Sequence, residues 1–128
     1  MITLSVTARN AVTNAITAAL SATPTPAKFK IYTADRATLL AVATCELSAF
    51  SPAANGKANL SAAIKNVPVI ATGTAALFDI VDGNGVVHLS GVVGTTDGDL
   101  RFSSTNWAHG DIVDIESFTI AAPARAPQ

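Results

Sequence analysis

The chain is predicted to be mainly β, a jelly-roll-like antiparallel β-sandwich carrying one N-terminal α-helix. Three observations predict this. Apolar residues recur at helical spacing near the N-terminus, as Ala8, Val12, Ile16 and Ala19/Leu20. After Pro26 the period drops to two, beginning with "KFKIYT", where Lys28, Lys30 and Tyr32 alternate with Phe29 and Ile31. Seven or eight short apolar runs then follow, separated by Gly, Pro, Asn and Asp.

Each element has its own reason. The helix is expected over about residues 7–21, capped by Ser5 or Thr7 and closed by Pro24 and Pro26, because proline disfavours helix at the residue before it. Its polar face holds Asn, Thr and Arg rather than charge pairs. Its stability must therefore come from docking its stripe Val12, Ile16 and Leu20 on the sandwich or on a neighbouring copy. "TLLAVATCEL" reads as the second strand, with Ala41, Ala43, Cys45 and Leu47 on one face. A loop with Pro52, Asn55 and Gly56 leads to "KANLSA" and then "AAIKNVPVI", where Pro68 argues for a sheet edge or a strand end.

The clearest segment is "AALFDIVDGNGVVHLSGVVG", read as a hairpin. Asp82, Gly83, Asn84 and Gly85 supply the positive-φ residues of the reversal. Ala76, Phe78 and Ile80 share one face with Asp79 on the other, while Val87 and Leu89 share a face opposite His88. "LRFSS" and "DIVDIESFTI" complete the strands. Residues 1–120 read as a single domain and 121–128 ("AAPARAPQ") as an extended or disordered tail; no repeat of about 20–50 residues is visible.

Composition narrows the function. Of 128 residues 49% are hydrophobic and only 13% charged, against a usual charged share of about 25%. Polar surface must come from Thr, Ser and Asn, and part of the apolar surface is expected to lie under a partner. The net charge of −1 and scattered basic residues give no footprint for nucleic acid. No run approaches the roughly 18–20 apolar residues of a membrane span, so no membrane is expected as a partner. "AALSATPTPA" imitates a signal cleavage region, yet no basic segment precedes it and Arg9, Asn10, Thr13 and Asn14 interrupt any apolar core. The chain is read as made in the cytoplasm.

Candidate chemistry is thin. Cys45, the sole cysteine, alternates with alanines and has Glu46 beside it, so it reads as a small core residue rather than a reactive thiol. "DGNG" begins like a calcium loop, but Val86 and Val93 stand where ligands belong. Asp97 and Asp99 in "TTDGDL" read as turn residues. His88 and His109 are the only imidazoles, and a Ser90–His88–Asp triad lacks both elbow and oxyanion-hole motifs. Glu46 and Glu116 lie too far apart in sequence to be read as a glycosidase pair. No catalytic, cofactor or metal residues are assigned, and no enzyme is expected. Trp107, in the polar stretch "SSTNWAHGD", leaves three readings open: a ring folded over the sandwich end, a protein-interface anchor, or a sugar-stacking platform.

Taken in order, "ARNAVTNAITAAL", "KFKIYT", "NGKANLSA", "ATGTAALFDIVDGNGVVHLSGVVG" and "DLRFSSTNWAHGDIVDIESFTI" with an Ala/Pro end resemble the small Ala/Thr/Gly-rich structural proteins of tailed bacteriophages. The resemblance covers nearly the whole chain as layout, without a diagnostic motif. It implies a virion component, a capsid cement or decoration protein that binds the major capsid protein and stabilises the assembled shell, itself a dimer or trimer. "TADRAT", residues 33–38, is shorter than the Pro-rich loop of that group. The interface is expected at Trp107, Asn106, His109 and Arg125, together with the helix stripe Val12, Ile16 and Leu20. The rival expectation is a tail- or fibre-associated binding module whose Trp107, Asn106 and His109 touch a host glycan. A weaker third reading is an accessory domain of an enzyme.

Overall fold

The computed structural model describes residues 5–20, 26–45, 50–96 and 98–121. One helix, α1 (Val6–Leu20), precedes eleven strands. They are β1 (Lys28–Tyr32), β2 (Leu39–Thr44), β3 (Lys57–Asn59), β4 (Ile64–Pro68), β5 (Gly73–Thr74), β6 (Leu77–Val81), β7 (Val87–Gly94), β8 (Leu100–Arg101), β9 (Asn106–Trp107), β10 (Ile112–Ile115) and β11 (Thr119–Ala121). The protein is mainly β with one N-terminal helix, as expected. The strand number exceeds the expected seven or eight because two long apolar runs divide, "GTAALFDIV" into β5 and β6 and "DIVDIESFTI" into β10 and β11, and because the polar stretch read as a loop contains the two-residue β9. Ser21, Pro24, Glu46, Leu47, Asp97 and the tail 122–128 with Arg125 lie outside the described residues.

Five strands form the main sheet in the order β2-β1-β6-β7-β8. Its centre is antiparallel, with Phe29 opposite Ala43 on one side and Ile80 on the other. Only β7 and β8 run parallel, contrary to the all-antiparallel expectation. Five residues connect them, too few for the crossover that long parallel strands need, so the pairing stops after two residues. Beyond β2 the sheet curls onto β4 through the Ala41–Val69 bridge and the Ile70 N–H, which donates to the Leu40 carbonyl at 2.8 Å. β4 in turn pairs with β10. Two further pairs, β3 with β11 and β5 with β9, lie outside this curl.

The β6–β7 hairpin shows local chemistry setting the register. Of its four turn residues only Gly85 takes a positive φ, 84°. The Gly85 N–H donates to the Asp82 carbonyl, making a tight turn closed by one left-handed glycine, where four permissive positions had been expected. Asp82 organises it: Oδ1 accepts from the N–H groups of Asn84 and Val86, and Oδ2 meets His88 Nε2 at 2.9 Å. A bulge then places Val87 opposite Val81 and Leu89 opposite Ile80, so His88 is the extra residue. Leu89 packs on the core, but Val87 is exposed; the bulge breaks the simple alternation that would have paired them.

Inside the curl, Phe118 meets Phe29, Phe78 and Phe50 edge to face, with ring centroids 5.3, 5.5 and 6.2 Å away. Such tilted contacts match the ring quadrupoles. Gly91 lies directly opposite Phe78, and a Cβ there would stand 2.7 Å from the ring. A side chain at this position would displace the core. Cys45 is buried beside this core, and burial pushes its thiol up to about 12.

Ser5 caps α1, its Oγ accepting from the Ala8 N–H at 3.1 Å. The helix docks on the protein's own strands through Thr13, Ile16 and Leu20. Val12, expected in the docked stripe, is 42% exposed. The reason is polar. Asn10, Thr13 and Asn14, spaced three and four apart, bind the 53–56 loop: Asn10 Oδ1 accepts from Gly56 N–H, Thr13 Oγ1 donates to the Gly56 carbonyl, and Asn14 Oδ1 accepts from Ala53 N–H. These bonds rotate the helix so that Thr13, fully buried, occupies the seat assigned to Val12.

Candidate interaction site

Trp107 sits in β9, paired with Gly73 of β5 at one end of the curled sheet. Its ring is 4% exposed, stands edge-on to Phe102 with centroids 4.9 Å apart, and donates its indole N–H to the Ser104 carbonyl at 2.7 Å. All of its polar capacity is spent internally. The ring offers no open face to a protein or a sugar; it forms the floor on which the loop stands.

The residues on either side are exposed. Asn106 receives the Thr74 hydroxyl at 3.1 Å, and the His109 backbone N–H donates to Thr72 Oγ1 at 3.0 Å. Asp111 Oδ2 accepts from the Ala108 N–H, and the Asp111 N–H donates back to the Ala108 carbonyl. The loop is therefore held at each step by a side-chain bond, with both candidate side chains directed outward from a fixed backbone.

The apolar part of this surface comes from the neighbouring β4–β10 ladder. Ile112 stands opposite Pro68, and the ladder continues with Asp111 accepting from Val69 and Val69 accepting from Gly110. Strand alternation then puts Pro68, Ile70 and Ile112 on one outward face. Ile70 is 49% exposed and Ile112 64%. Towards the other end of the same ladder, Lys65 donates to both Glu116 carboxylate oxygens at 2.7 and 2.9 Å. An apolar centre with a polar, hydrogen-bonded rim is the anatomy of a protein-binding surface.

This geometry redistributes the expected interface residues. Asn106 and His109 share the loop beside the patch, and Trp107 lies beneath it. Ile16 and Leu20 are committed to the protein's own core, Val12 is exposed on α1, and Arg125 lies outside the described residues. Ile70 and Ile112 were missed by sequence reasoning, although a signal exists. In "VPVI" Val67 and Val69 already fill the inward positions, and in "DIVDI" Ile112 and Val113 are consecutive. In each case alternation leaves one large apolar residue facing out.

The polar clusters elsewhere are structural in arrangement. Arg36, in the short 33–38 loop, bonds both oxygens of Asp79 at 2.8 and 2.7 Å, and its guanidinium lies 5.7 Å from the centre of the Tyr32 ring. Ser90 donates to Asp79 at 2.6 Å while His88 meets Asp82, so the serine and imidazole of the conceivable triad are bound to different carboxylates. Among the described residues no group of three His, Cys, Asp or Glu side chains is placed to hold a metal ion, and no helix is long and apolar enough to cross a membrane.

No family model, curated protein or solved structure matches the chain. The resemblance to small phage structural proteins accordingly rests on the layout of the sequence alone.

Proposed function

We propose that the chain is a virion structural protein of a tailed bacteriophage, a capsid cement or decoration protein on a jelly-roll-like sandwich. In this reading it binds the major capsid protein and stabilises the assembled shell at the outer surface of the particle. The observation that carries the reading is the outward face Pro68, Ile70 and Ile112, bordered by the fixed loop of Asn106 and His109. An exposed apolar face on a chain with only 13% charged residues fits a protein whose work is to bury surface against a partner. Binding only the assembled shell stabilises that shell by mass action, and many weak copies act together.

The rival reading, a tail or fibre module touching a host glycan, has less support, because the one tryptophan that could stack on a sugar is buried. The test is decoration of particles lacking the protein. Ile70→Ser combined with Ile112→Ser should leave the melting temperature within about 2 °C, since exposed positions contribute little to stability, and should abolish occupancy. Full occupancy by the double variant would place the contact elsewhere. A handful of copies at one vertex, in place of hundreds over the shell, would favour the tail.

A further inference from the structure

The curled sheet runs β8-β7-β6-β1-β2-β4-β10 and does not close: β8 and β10 are its two ends, and neither pairs with the other. A groove lies between them. Three connected clefts of about 530, 360 and 210 Å³ follow one another along it, the first two sharing Arg101 and Glu116, the last two sharing Asp99, Phe118 and Thr119. Along the first cleft both borders are strand edges, β8 at Arg101 and β10 at Ile112–Asp114, the standard template for an added strand; beyond it the groove runs between Asp99 and residues 116–120. Asp99, common to two of the clefts, makes no ion pair among the described residues; one of its oxygens accepts only from the Val92 N–H at 3.1 Å.

We propose that this groove takes residues 122–128 of a second copy as an added strand, with Arg125 facing Asp99. The sequence Ala-Pro-Ala-Arg-Ala-Pro-Gln suits the position in three ways. It carries one cation and no acid. In an extended strand Pro123 and Pro127 fall on the same edge, so residues 122, 124, 126 and 128 present an unbroken row of backbone donors and acceptors to the other. The same alternation puts Ala122, Ala124 and Ala126 on one face, small enough to lie over Phe118, and Arg125 on the opposite one. Seven extended residues reach about 23 Å, more than the roughly 13 Å of the four-residue β10.

The copy is a second one because of direction. The chain itself lines the groove between Ile112 and Ile120, running from the first cleft to the third, with β11 pairing along β3 towards Lys57. Only Ala121 separates this stretch from residues 122–128, too few residues for the reversal that would lay all seven back along the same groove as a strand. This pairing joins copies of the chain to each other and does not depend on any contact with a shell.

The experiment is solution mass by light scattering over a concentration series, together with binding of a labelled peptide of residues 121–128 to protein ending at Ile120. Full-length protein should be a dimer or larger, and the shortened protein a monomer with an unchanged circular dichroism spectrum that binds the peptide. Asp99→Lys should weaken peptide binding about tenfold or more, and a peptide with Arg125→Glu should restore it. Asp99→Asn, which keeps an acceptor for Val92, should weaken binding several-fold and guards against a misfolded Lys variant. A monomeric full-length protein, a shortened protein of unchanged oligomeric mass, or peptide binding indifferent to Asp99→Asn would each overturn the proposal.

Discussion

Asp79 lies on the side of β6 away from the aromatic core and is nonetheless buried, because Arg36 folds over it from a loop whose backbone turns through a positive φ of 59°. Burial pushes this carboxyl up, and the Arg36 and Ser90 hydrogen bonds outweigh it, holding the group below its ordinary 3.8. Asp82 is lowered as well, by His88 first and then by the Val86 N–H. A carboxylate depressed in the folded state stabilises it above the unfolded value, and that contribution disappears as pH falls through the folded one. The melting temperature should therefore be level near neutrality and decline below about pH 4, with a shallower decline in Asp79→Asn. At pH 7, Asp79→Ala should cost about 1–2 kcal/mol in urea unfolding, a modest figure because Arg36 is 42% exposed and water screens the pair. An unchanged midpoint would show that the pair contributes nothing.

At the scale of elements, α1 is held by two kinds of contact, an apolar seat at Ile16 and Leu20 and the side-chain-to-backbone bonds of Asn10, Thr13 and Asn14. The two valine and isoleucine positions of the expected stripe should consequently separate under mutation. Ile16→Asp should destabilise by about 2 kcal/mol, since it places a charge against the core. Val12→Asp, exposed, should stay within about 0.5 kcal/mol. Equal losses in thermal unfolding would mean that the helix docks by the other face.

For the whole molecule, the unclosed curl distributes stability unevenly. β1 and β6 have a strand on each side and bury Phe29, Ile31, Phe78 and Ile80, whereas β8 and β10 border the groove. In the protein ending at Ile120, amide hydrogen exchange should be slowest in β1 and β6 and faster along the outer edges of β8 and β10, as local opening costs least where one edge is unpaired. Uniform protection would imply that the seam is already filled. The same opening that costs protection supplies the two strand edges on which an added segment can build.

Much of this architecture follows from local chemistry. The helix near the N-terminus, the change of period at Pro26, the β6–β7 hairpin and the inward positions of Phe29, Ile31, Phe78 and Ile80 depend on residue spacing and turn chemistry that act over a few neighbours. So does the burial of Cys45 among alanines. What depends on distant partners was not legible. Thr13 displaced Val12 because the bonding loop lies some forty residues away, and Trp107 turned inward because Phe102 and the Ser104 carbonyl were there to receive it. Asp79 was read as a solvent-side residue until Arg36 reached across from another loop. The candidate surface was half visible, since Asn106 and His109 stand in a marked polar loop while Ile70 and Ile112 become a patch only when β4 and β10 pair. Spacing along the chain determines which residues can share a face; only closure of the sheet decides which faces find a partner within the molecule and which are left to another.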